Sequence, residues 1–380
     1  MRKILFTTPV CPYSRTSGAE VRSAALLEAL DRVGEVHVVQ TYQYGDRLQA
    51  IVDVTFKRPK IMLTIKEIRN PLLRYQPRVD TTLAVERCLD IRVDSFTHVV
   101  SRYIWGAFQF SLRPGTKRVA DLDDCVFRYA APDLVTGLSQ WTLARFKKRQ
   151  RERVEQWYAG KLDGAFVVSR RDLGYARRIP VALLENVYGV KRAESGPGQA
   201  RCLFVGTLTY QPNLEGIQWF LRRCWLRVKE RLPHATLTIA GEAPEDFMRW
   251  ANGLPGVRAI GFVDSLDTVY SEADVVVAPI LSGGGAIVKI LEAIAFCRPV
   301  VATRFAADGY RGSLVPGAHL VACRTSNEFV DSVVRCCEDQ VFSARMADDA
   351  RTVLSASFNQ PAFNHAVSAL LDRVDGSDAT

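Results

Sequence analysis

A glycine triplet followed by a lysine and a glutamate is the part of this sequence best suited to chemistry. The triplet, Gly283–Gly285, follows the apolar run Val275–Leu281 and precedes a segment with helical spacing that contains Lys289 and Glu292. A helix N-terminus behind a glycine loop presents free backbone N–H groups that stabilise a pyrophosphate. Lys289 can add a point charge for a phosphate, and Glu292 can accept hydrogen bonds from ribose hydroxyls.

The same spacing also has a purely structural interpretation. A tight turn followed by an exposed Lys–Glu pair would contribute only a few tenths of a kcal/mol to stability. The flanking sequence favours the chemical interpretation, because Arg298-Pro299 ends the helical spacing and Val300–Ala302 has the character of a short buried strand. Strand, glycine loop, helix and strand together form a βαβ unit.

A carboxylate cluster is the second candidate. The predicted strand that begins at Arg118 ends in Asp121, Asp123 and Asp124. Like charges this close are unfavourable unless a cation compensates them, which predicts a site. The alternative is an Asp-rich turn that caps the following helix.

The beginning of the chain adds a third group of candidates. Residues 2–8 form a predicted buried strand, and a turn-rich loop ends at Gly18 before a helix-periodic segment. Ligands of doubly wound sheets bind at the C-terminal ends of the strands, so this loop is expected to face a cleft. Glu20 and Arg22 at the helix start could contact a substrate, or could cap and solvate the helix.

Composition limits the class of protein. The chain has 380 residues, 48% hydrophobic and 24% charged, which predicts an ordinary globular protein of about two domains. The net charge of +9 favours anionic partners, although no nucleic-acid motif accompanies it. No apolar run is long enough to span a membrane, and the N-terminal apolar stretch is too short for a signal peptide. Nine scattered cysteines without C-x-x-C spacing predict reduced thiols in a cytoplasmic protein and no metal site.

The alternation of strands and helices stops once and then restarts. Residues 188–200 are rich in Gly, Pro, Ser and charge and form the predicted linker. We therefore expect an α/β protein with two doubly wound, Rossmann-like domains, at 1–187 and 201–357, that face an interdomain cleft. A final helix within 358–380 is expected to cross back toward the first domain.

A basic segment in the first half leaves two interpretations open. Residues 139–161 have helical spacing, with an apolar side and a crowd of arginines and lysines on the remaining surface. The common meaning of such a surface is a solvated helix face. The alternative is peripheral contact with an anionic membrane at its inner face, where each basic residue adds about 1 kcal/mol.

Six sequence blocks of the second half follow one another in a recognisable order: 203–208 with 210–213, 237–241, 261–264, 273–279 and 283–303. In these blocks and their order, the second half resembles the nucleotide-sugar-binding domain of family 4 glycosyltransferases, which have the two-domain GT-B fold. The first half is similar more weakly, through 17–22 and the 121–124 strand end, and looks like the subgroup that assembles polysaccharides and other glycans.

The resemblance implies transfer of a sugar, with retention, from a UDP- or GDP-sugar to a glycan, lipid-linked or small-molecule acceptor, with no cofactor. Lys289 would neutralise the diphosphate, Glu292 would bind the ribose, and Gly283, Gly284 and Gly285 would supply backbone N–H groups. Phe262 and Val263 would line the base pocket, and Gly206, Thr207 and Asn213 would form the loop beneath the phosphates. On the acceptor side we expect Gly18, Glu20, Arg22 and Asp121, and Glu20, Asp123 and Asp124 are candidates for contact with the acceptor hydroxyl.

Four family positions differ in this chain. Gly284 stands where many members have a Glu, and Ile287 stands where a related subgroup has an Arg. Thr207 and Glu215 stand where many members have an Arg and a Lys. The diphosphate charge must then be stabilised mainly by Lys289 and the helix dipole. These departures leave two alternatives to a transferase: a nucleotide-sugar 2-epimerase, or a catalytically weak partner subunit that binds the donor.

Overall fold

The computed structural model describes residues 1–13, 18–44, 47–53, 61–66, 82–89, 91–123, 156–174, 178–191 and 198–376. The chain divides into two compact units. The first contains Met1–Val187 together with Gln360–Thr380, and the second contains Tyr188–Asn359.

The sheet of the first unit has eight strands in the order β4-β3-β2-β1-β5-β6-β7-β8. All neighbours run parallel except for β3, which pairs antiparallel with both β2 and β4. The strands are β1 (Arg2–Thr8), β2 (Gly34–Tyr44), β3 (Arg47–Asp53), β4 (Ile61–Lys66), β5 (His98–Arg102), β6 (Lys117–Leu122), β7 (Gly164–Val167) and β8 (Val181–Leu183).

The helices of the first unit include one near the beginning of the chain and one near its end. They are α1 (Gly18–Asp31), α2 (Thr82–Leu89) and the C-terminal helix, which we call α11 (Gln360–Gly376), with 3-10 turns at Val93–Ser95, Ile104–Phe108 and Arg170–Asp172. Helix α11 packs its apolar side, including Leu370 and Val374, into the core formed with β1 and α1. Arg2 on β1 also makes ion pairs with Asp372 and Asp375 of α11, at 2.6 and 2.7 Å. Burial and charge pairing together hold the last helix on this unit.

The sheet of the second unit has six parallel strands in the order β11-β10-β9-β12-β13-β14. The strands are β9 (Arg201–Val205), β10 (Thr236–Ala240), β11 (Val257–Gly261), β12 (Val275–Ala278), β13 (Val300–Thr303) and β14 (Val321–Cys323). Every residue of β12 and β13 is buried, as expected for central strands with helices on both faces.

Helices follow nearly every strand of this second sheet. They are α3 (Gln211–Phe220), α4 (Leu226–Arg231), α5 (Glu245–Asn252), α6 (Leu266–Ser271), α7 (Val288–Ala295), α8 (Arg304–Ala307), α9 (Ser326–Glu338) and α10 (Gln340–Ser357). A π-helical segment, Leu221–Trp225, joins α3 to α4, and a 3-10 turn, Asp308–Tyr310, follows α8. Both units therefore have the α/β, doubly wound architecture that the sequence predicts.

The starts of two helices define the loops before them. Helix α3 begins at Gln211, since Pro212 suits the first helical turn, where its missing N–H is not needed. Helix α7 begins at Val288, so the glycine triplet and Ile287 belong to the loop before it. Most of the predicted basic helix, residues 139–155, lies outside the described residues. Residues 156–159 of it are helical. No helix in the described ranges is long and apolar enough to cross a membrane.

Leu370 of α11 offers a test of how firmly the C-terminal helix is held. The side chain is fully buried, so we expect Leu370→Ala to lower the free energy of unfolding of the first unit by about 2–5 kcal/mol. His365 is an exposed residue of the same helix, and His365→Ala is the matched control, with a change within about 0.5 kcal/mol. Urea unfolding followed by circular dichroism measures both. Equal small changes in the two variants would mean that α11 is not part of this core.

Candidate functional site

A cavity of about 340 Å³ opens in the second unit where the parallel strands end. Its walls come from the segments that follow β9, β10, β11 and β12 and from the first turn of α7. This is the edge at which doubly wound sheets bind ligands. The lining residues are Val205, Gly206, Thr207, Tyr210, Asn213, Ala240, Gly241, Glu242, Phe262, Val263, Leu266, Ile280, Ser282, Gly283, Gly284, Ala286, Ile287, Val288, Lys289 and Glu292.

The cavity brings together nearly every residue expected on the donor side. Those that line it are Gly206, Thr207, Asn213, Phe262, Val263, Gly283, Gly284, Lys289 and Glu292. Gly285 is not part of the lining. The donor-binding role of each residue stays a prediction.

Several lining residues were not among the candidates. Tyr210 and Gly241 lie inside the sequence blocks that carry the resemblance, and Glu242 and Leu266 follow the ends of β10 and β11. The rule that strand C-termini meet at one edge could have found Glu242 and Leu266. Their types alone gave no signal.

Lys289 is the cationic side chain in the described lining of the cavity. Its ammonium group donates a hydrogen bond to Asn213 Oδ1 at 2.8 Å and lies 5.2 Å from the centroid of the Phe204 ring. Burial disfavours its charged form and lowers the pKa of Lys289 to about 8, although the charge of Glu292 acts in the opposite direction. In the ligand-free protein the charged form of Lys289 is therefore disfavoured, and a bound anion would stabilise it.

Glu292 lies one turn further along α7, at the edge of the cavity. Tyr270 donates a hydrogen bond to its Oε2 at 3.1 Å. Burial raises the pKa of Glu292, while hydrogen bonds from Tyr270 and the charge of Lys289 partly offset that effect. The carboxylate is therefore fixed in direction by a buried tyrosine and is able to accept hydrogen bonds from a ligand.

The loops around Lys289 leave space that a side chain would fill. Gly283 has a φ of 118°, a conformation that L residues rarely adopt. At Gly206, an added Cβ would lie 2.9 Å from Asn213 Nδ2 and 3.4 Å from Lys289 Cε, whereas at Gly283 it would only reach ordinary contact distance from Tyr210 and Pro212. Glycine at 206 therefore leaves room for Asn213 and Lys289, and glycine at 283 allows the backbone conformation of its loop.

The N-terminus of α7 opens into the same cavity. Ala286, Ile287 and Val288 line it, and the N-cap residue Ile287 has no side chain that could accept a hydrogen bond from the first turn. An anion can supply the missing acceptor, and the helix dipole favours it there. The cavity is thus lined by Lys289, by the N-terminus of α7 and by the glycine loop before it.

The candidates of the first unit form a buried ion network. Arg22 donates two hydrogen bonds to the carboxylate of Asp121, at 2.8 and 2.6 Å. It also donates to Leu184 O and Asn186 Oδ1. Arg102, which the sequence did not suggest, lies 3.0 Å from Asp121 Oδ2 and donates to Asp123 Oδ2 at 2.6 Å. Although burial disfavours its charge, Asp121 and Asp123 raise the pKa of Arg22 above its ordinary value. The cations that the clustered carboxylates require are therefore Arg22 and Arg102.

Exposure differs within this network. The Asp121 side chain is fully buried, whereas that of Asp123 remains 23% exposed. Gly18 is exposed and Glu20 is half-buried at the start of α1, and Asp124 lies outside the described residues. The acceptor-side roles of these residues stay predictions, and Asp123 has the carboxylate that a ligand could reach.

Comparisons with known proteins agree with this geometry. Residues 199–339 match the family model described as "Glycosyl transferases group 1". Among solved structures, sucrose-phosphate synthase from Thermosynechococcus elongatus has a TM-score of 0.70 at 17% identity, covering 99% of this chain and 100% of that one. TarM from S. aureus has a TM-score of 0.65 at 10% identity, covering 97% and 98%. The chain has the GT-B fold.

Two further proteins are similar to this chain. HepE from Anabaena, solved in complex with UDP, has a TM-score of 0.60 at 15% identity and covers 98% of this chain and 100% of that one. A protein described as an uncharacterized 44.6 kDa protein in the cps region of Klebsiella pneumoniae is 30% identical over 115 residues. That match spans 28% of this chain and 30% of the relative.

The buried lysine gives the GT-B protein a pH-dependent stability that can be measured. The pKa of Lys289 falls from 10.5 to about 8 on folding, so between these values the unfolded chain holds a proton that the folded protein has released. The contribution of this residue to the free energy of unfolding therefore rises with pH across that window. In Lys289→Met this rise is absent, and the stability of the variant relative to wild type should decline by up to about 3 kcal/mol between pH 7 and pH 10.5.

Urea unfolding of both proteins at a series of pH values measures that difference. Groups remote from Lys289 titrate alike in the two proteins, so the comparison isolates the lysine together with its neighbour Glu292, whose pKa Lys289 lowers. A difference that does not change with pH would show that Lys289 titrates normally and is not held in a desolvated site.

Proposed function

We propose that this GT-B protein is a glycosyltransferase that moves a sugar from a nucleotide diphosphate sugar to an acceptor hydroxyl. The observation that supports it most directly is the shared cavity of Lys289, the α7 N-terminus and the glycine loop in the second unit. The group 1 glycosyl transferase match covers the same part of the chain. The solved relative HepE, which has been crystallised with UDP and with UDP-glucose, supports a sugar nucleotide as the donor.

In the proposed reaction, the bond between the anomeric carbon and the β-phosphate oxygen breaks, and a bond from that carbon to the acceptor oxygen forms. Negative charge develops on the departing diphosphate, so catalysis consists largely of stabilising that charge. Lys289 and the backbone N–H groups before α7 are placed to do so, and Glu292 would bind the ribose. The acceptor proton passes to an oxygen of the departing phosphate, with retention at the anomeric carbon and without a metal.

The biological setting is part of the same proposal. We infer a role in glycan or polysaccharide assembly, with a glycan, lipid-linked or small-molecule acceptor, and the relative from a cps region supports it. We place the reaction in the cytoplasm, with peripheral contact at the inner face of the membrane through the basic 139–161 segment. Free cysteines at the described positions are consistent with a reducing compartment.

One observation favours a second candidate, a partner subunit that binds the donor without transferring the sugar. The described lining of the cavity has Lys289 as its cation and also contains the carboxylates Glu242 and Glu292. One ammonium group and a helix N-terminus are enough to bind a diphosphate, but they stabilise its developing charge less than two cations would.

Lys289→Ala tests the proposed function. Loss of a charged donor to the departing phosphate should lower donor-dependent turnover by about 10²–10³-fold. Arg258→Ala removes an exposed cation of β11 outside the cavity and should leave turnover unchanged. The measurement is NMR of a panel of UDP- and GDP-sugars, first without acceptor and then with an acceptor panel.

The NMR outcomes separate the candidates. Transfer or slow hydrolysis that depends on Lys289 supports the transferase, and isomerisation of the donor sugar without acceptor would identify an epimerase. Nucleotide binding by calorimetry without turnover would identify the partner subunit. Full turnover by Lys289→Ala would refute the assignment of Lys289.

A further inference from the structure

We infer that Asn213 is a positioning residue that holds the Lys289 ammonium group toward the bound phosphates while leaving its charge unpaired. The contact between Asn213 and Lys289 is independent of the proposed function. Its effect on phosphate binding rests on that function. It assigns to Asn213 an action through Lys289, in addition to its place in the loop after β9.

The orientation of the Asn213 amide is fixed from one side. Its Nδ2 group donates to the carbonyl oxygen of Thr207 at 2.9 Å, and that oxygen can only accept. The amide oxygen must therefore point the other way, where it accepts the hydrogen bond from Lys289 Nζ at 2.8 Å. Asn213 thus connects the loop after β9 to the first turn of α7.

The neighbouring glycine makes this connection possible. A side chain at Gly206 would approach Asn213 Nδ2 to 2.9 Å and Lys289 Cε to 3.4 Å, so it would displace one of the two. Asn213 itself lies in the first turn of α3, directly after Pro212, which fixes the backbone there. Both partners of the hydrogen bond are therefore held by rigid elements, and the lysine loses little freedom when an anion binds.

The chemical type of the partner matters as much as its position. An amide oxygen is neutral, so it orients the ammonium group and occupies one of its three N–H donors without neutralising it. A carboxylate at the same place would form a buried ion pair and compete with the phosphates for the positive charge. The other titratable groups around the described cavity are Glu292 on α7, with Tyr270 of α6 and Tyr188 as its hydrogen-bond partners, Glu242 after β10 and Tyr210 before α3. No ion pair within 4.0 Å to Lys289 is formed by these described residues.

The first arm of the test needs no ligand. NMR of protein labelled at lysine Cε follows the titration of each lysine, and the signal absent from Lys289→Arg identifies Lys289. In wild type we expect a midpoint near pH 8. In Asn213→Asp the midpoint should rise by at least one pH unit, and in Asn213→Ala, which removes the acceptor, it should fall. An unchanged midpoint in both folded variants would overturn the inference.

The second arm measures binding of UDP and GDP by calorimetry at pH 8, in two buffers that differ in ionisation enthalpy. Wild type should take up a fraction of a proton on binding, because the anion restores the charge of Lys289. Asn213→Asp should bind at least tenfold more weakly and take up no proton, whereas Asn213→Gln should retain part of the affinity. Equal binding and proton uptake in Asn213→Asp would also refute the inference.

The two arms separate this inference from the function itself. If wild type binds neither nucleotide but the Lys289 midpoint shifts as expected in the variants, the proposed function is refuted and the positioning role of Asn213 is supported. If wild type binds and transfers but the variants match it in both arms, the proposed function is supported and the positioning role of Asn213 is refuted. Circular dichroism of each variant checks that it folds, and Asn213→Ser replaces any variant that does not.

Discussion

A buried ammonium group without a carboxylate partner is the interaction on which the candidate site depends. Desolvation of Lys289 disfavours its charge, and its contacts among the described residues are an amide oxygen and an aromatic ring, while Glu292 acts only as a charge beyond ion-pair distance. A dianionic ligand would remove that penalty when it binds. In a medium of low dielectric constant, such an interaction is stronger than the same contact at the surface.

The scaffold produces this arrangement from segments that are far apart in the chain. Asn213 and Lys289 are separated by 76 residues, and they meet because β9 and β12 are parallel neighbours whose C-terminal ends share one edge. The helices that follow these strands point their N-terminal turns at that edge. Gly206 after β9 leaves room at this edge, since a side chain there would crowd Asn213 and Lys289.

The alternation of strands and helices, the fold class and the clustering of most donor-side candidates in one cavity could be predicted from the sequence, because they depend on local periodicity and on short blocks with a recognisable order. The donor-binding role of those candidates stays a prediction. Burial of Lys289 could not, since a Lys–Glu pair three residues apart is usually exposed. The start of α7 at Val288 also escaped prediction, because Ile287 continues the apolar spacing although its backbone is extended. The partner of Arg22 was out of reach for another reason. Asp121 lies 99 residues away, and only the pairing of β1, β5 and β6 brings it close.

The buried cations of the two units have different partners, and this contrast supports the proposed position of the anion. In the first unit, Arg22 and Arg102 face Asp121 and Asp123 at hydrogen-bond distance, so the charges are matched within the protein. Such a network orders the ends of β5 and β6 but has little positive charge to offer an incoming phosphate. In the second unit, Lys289 has a neutral partner and Glu292 is engaged by a tyrosine. The buried ammonium group without an ion-pair partner therefore lies at the cavity of the second unit, beside a helix N-terminus, which supports the proposal that a diphosphate binds there.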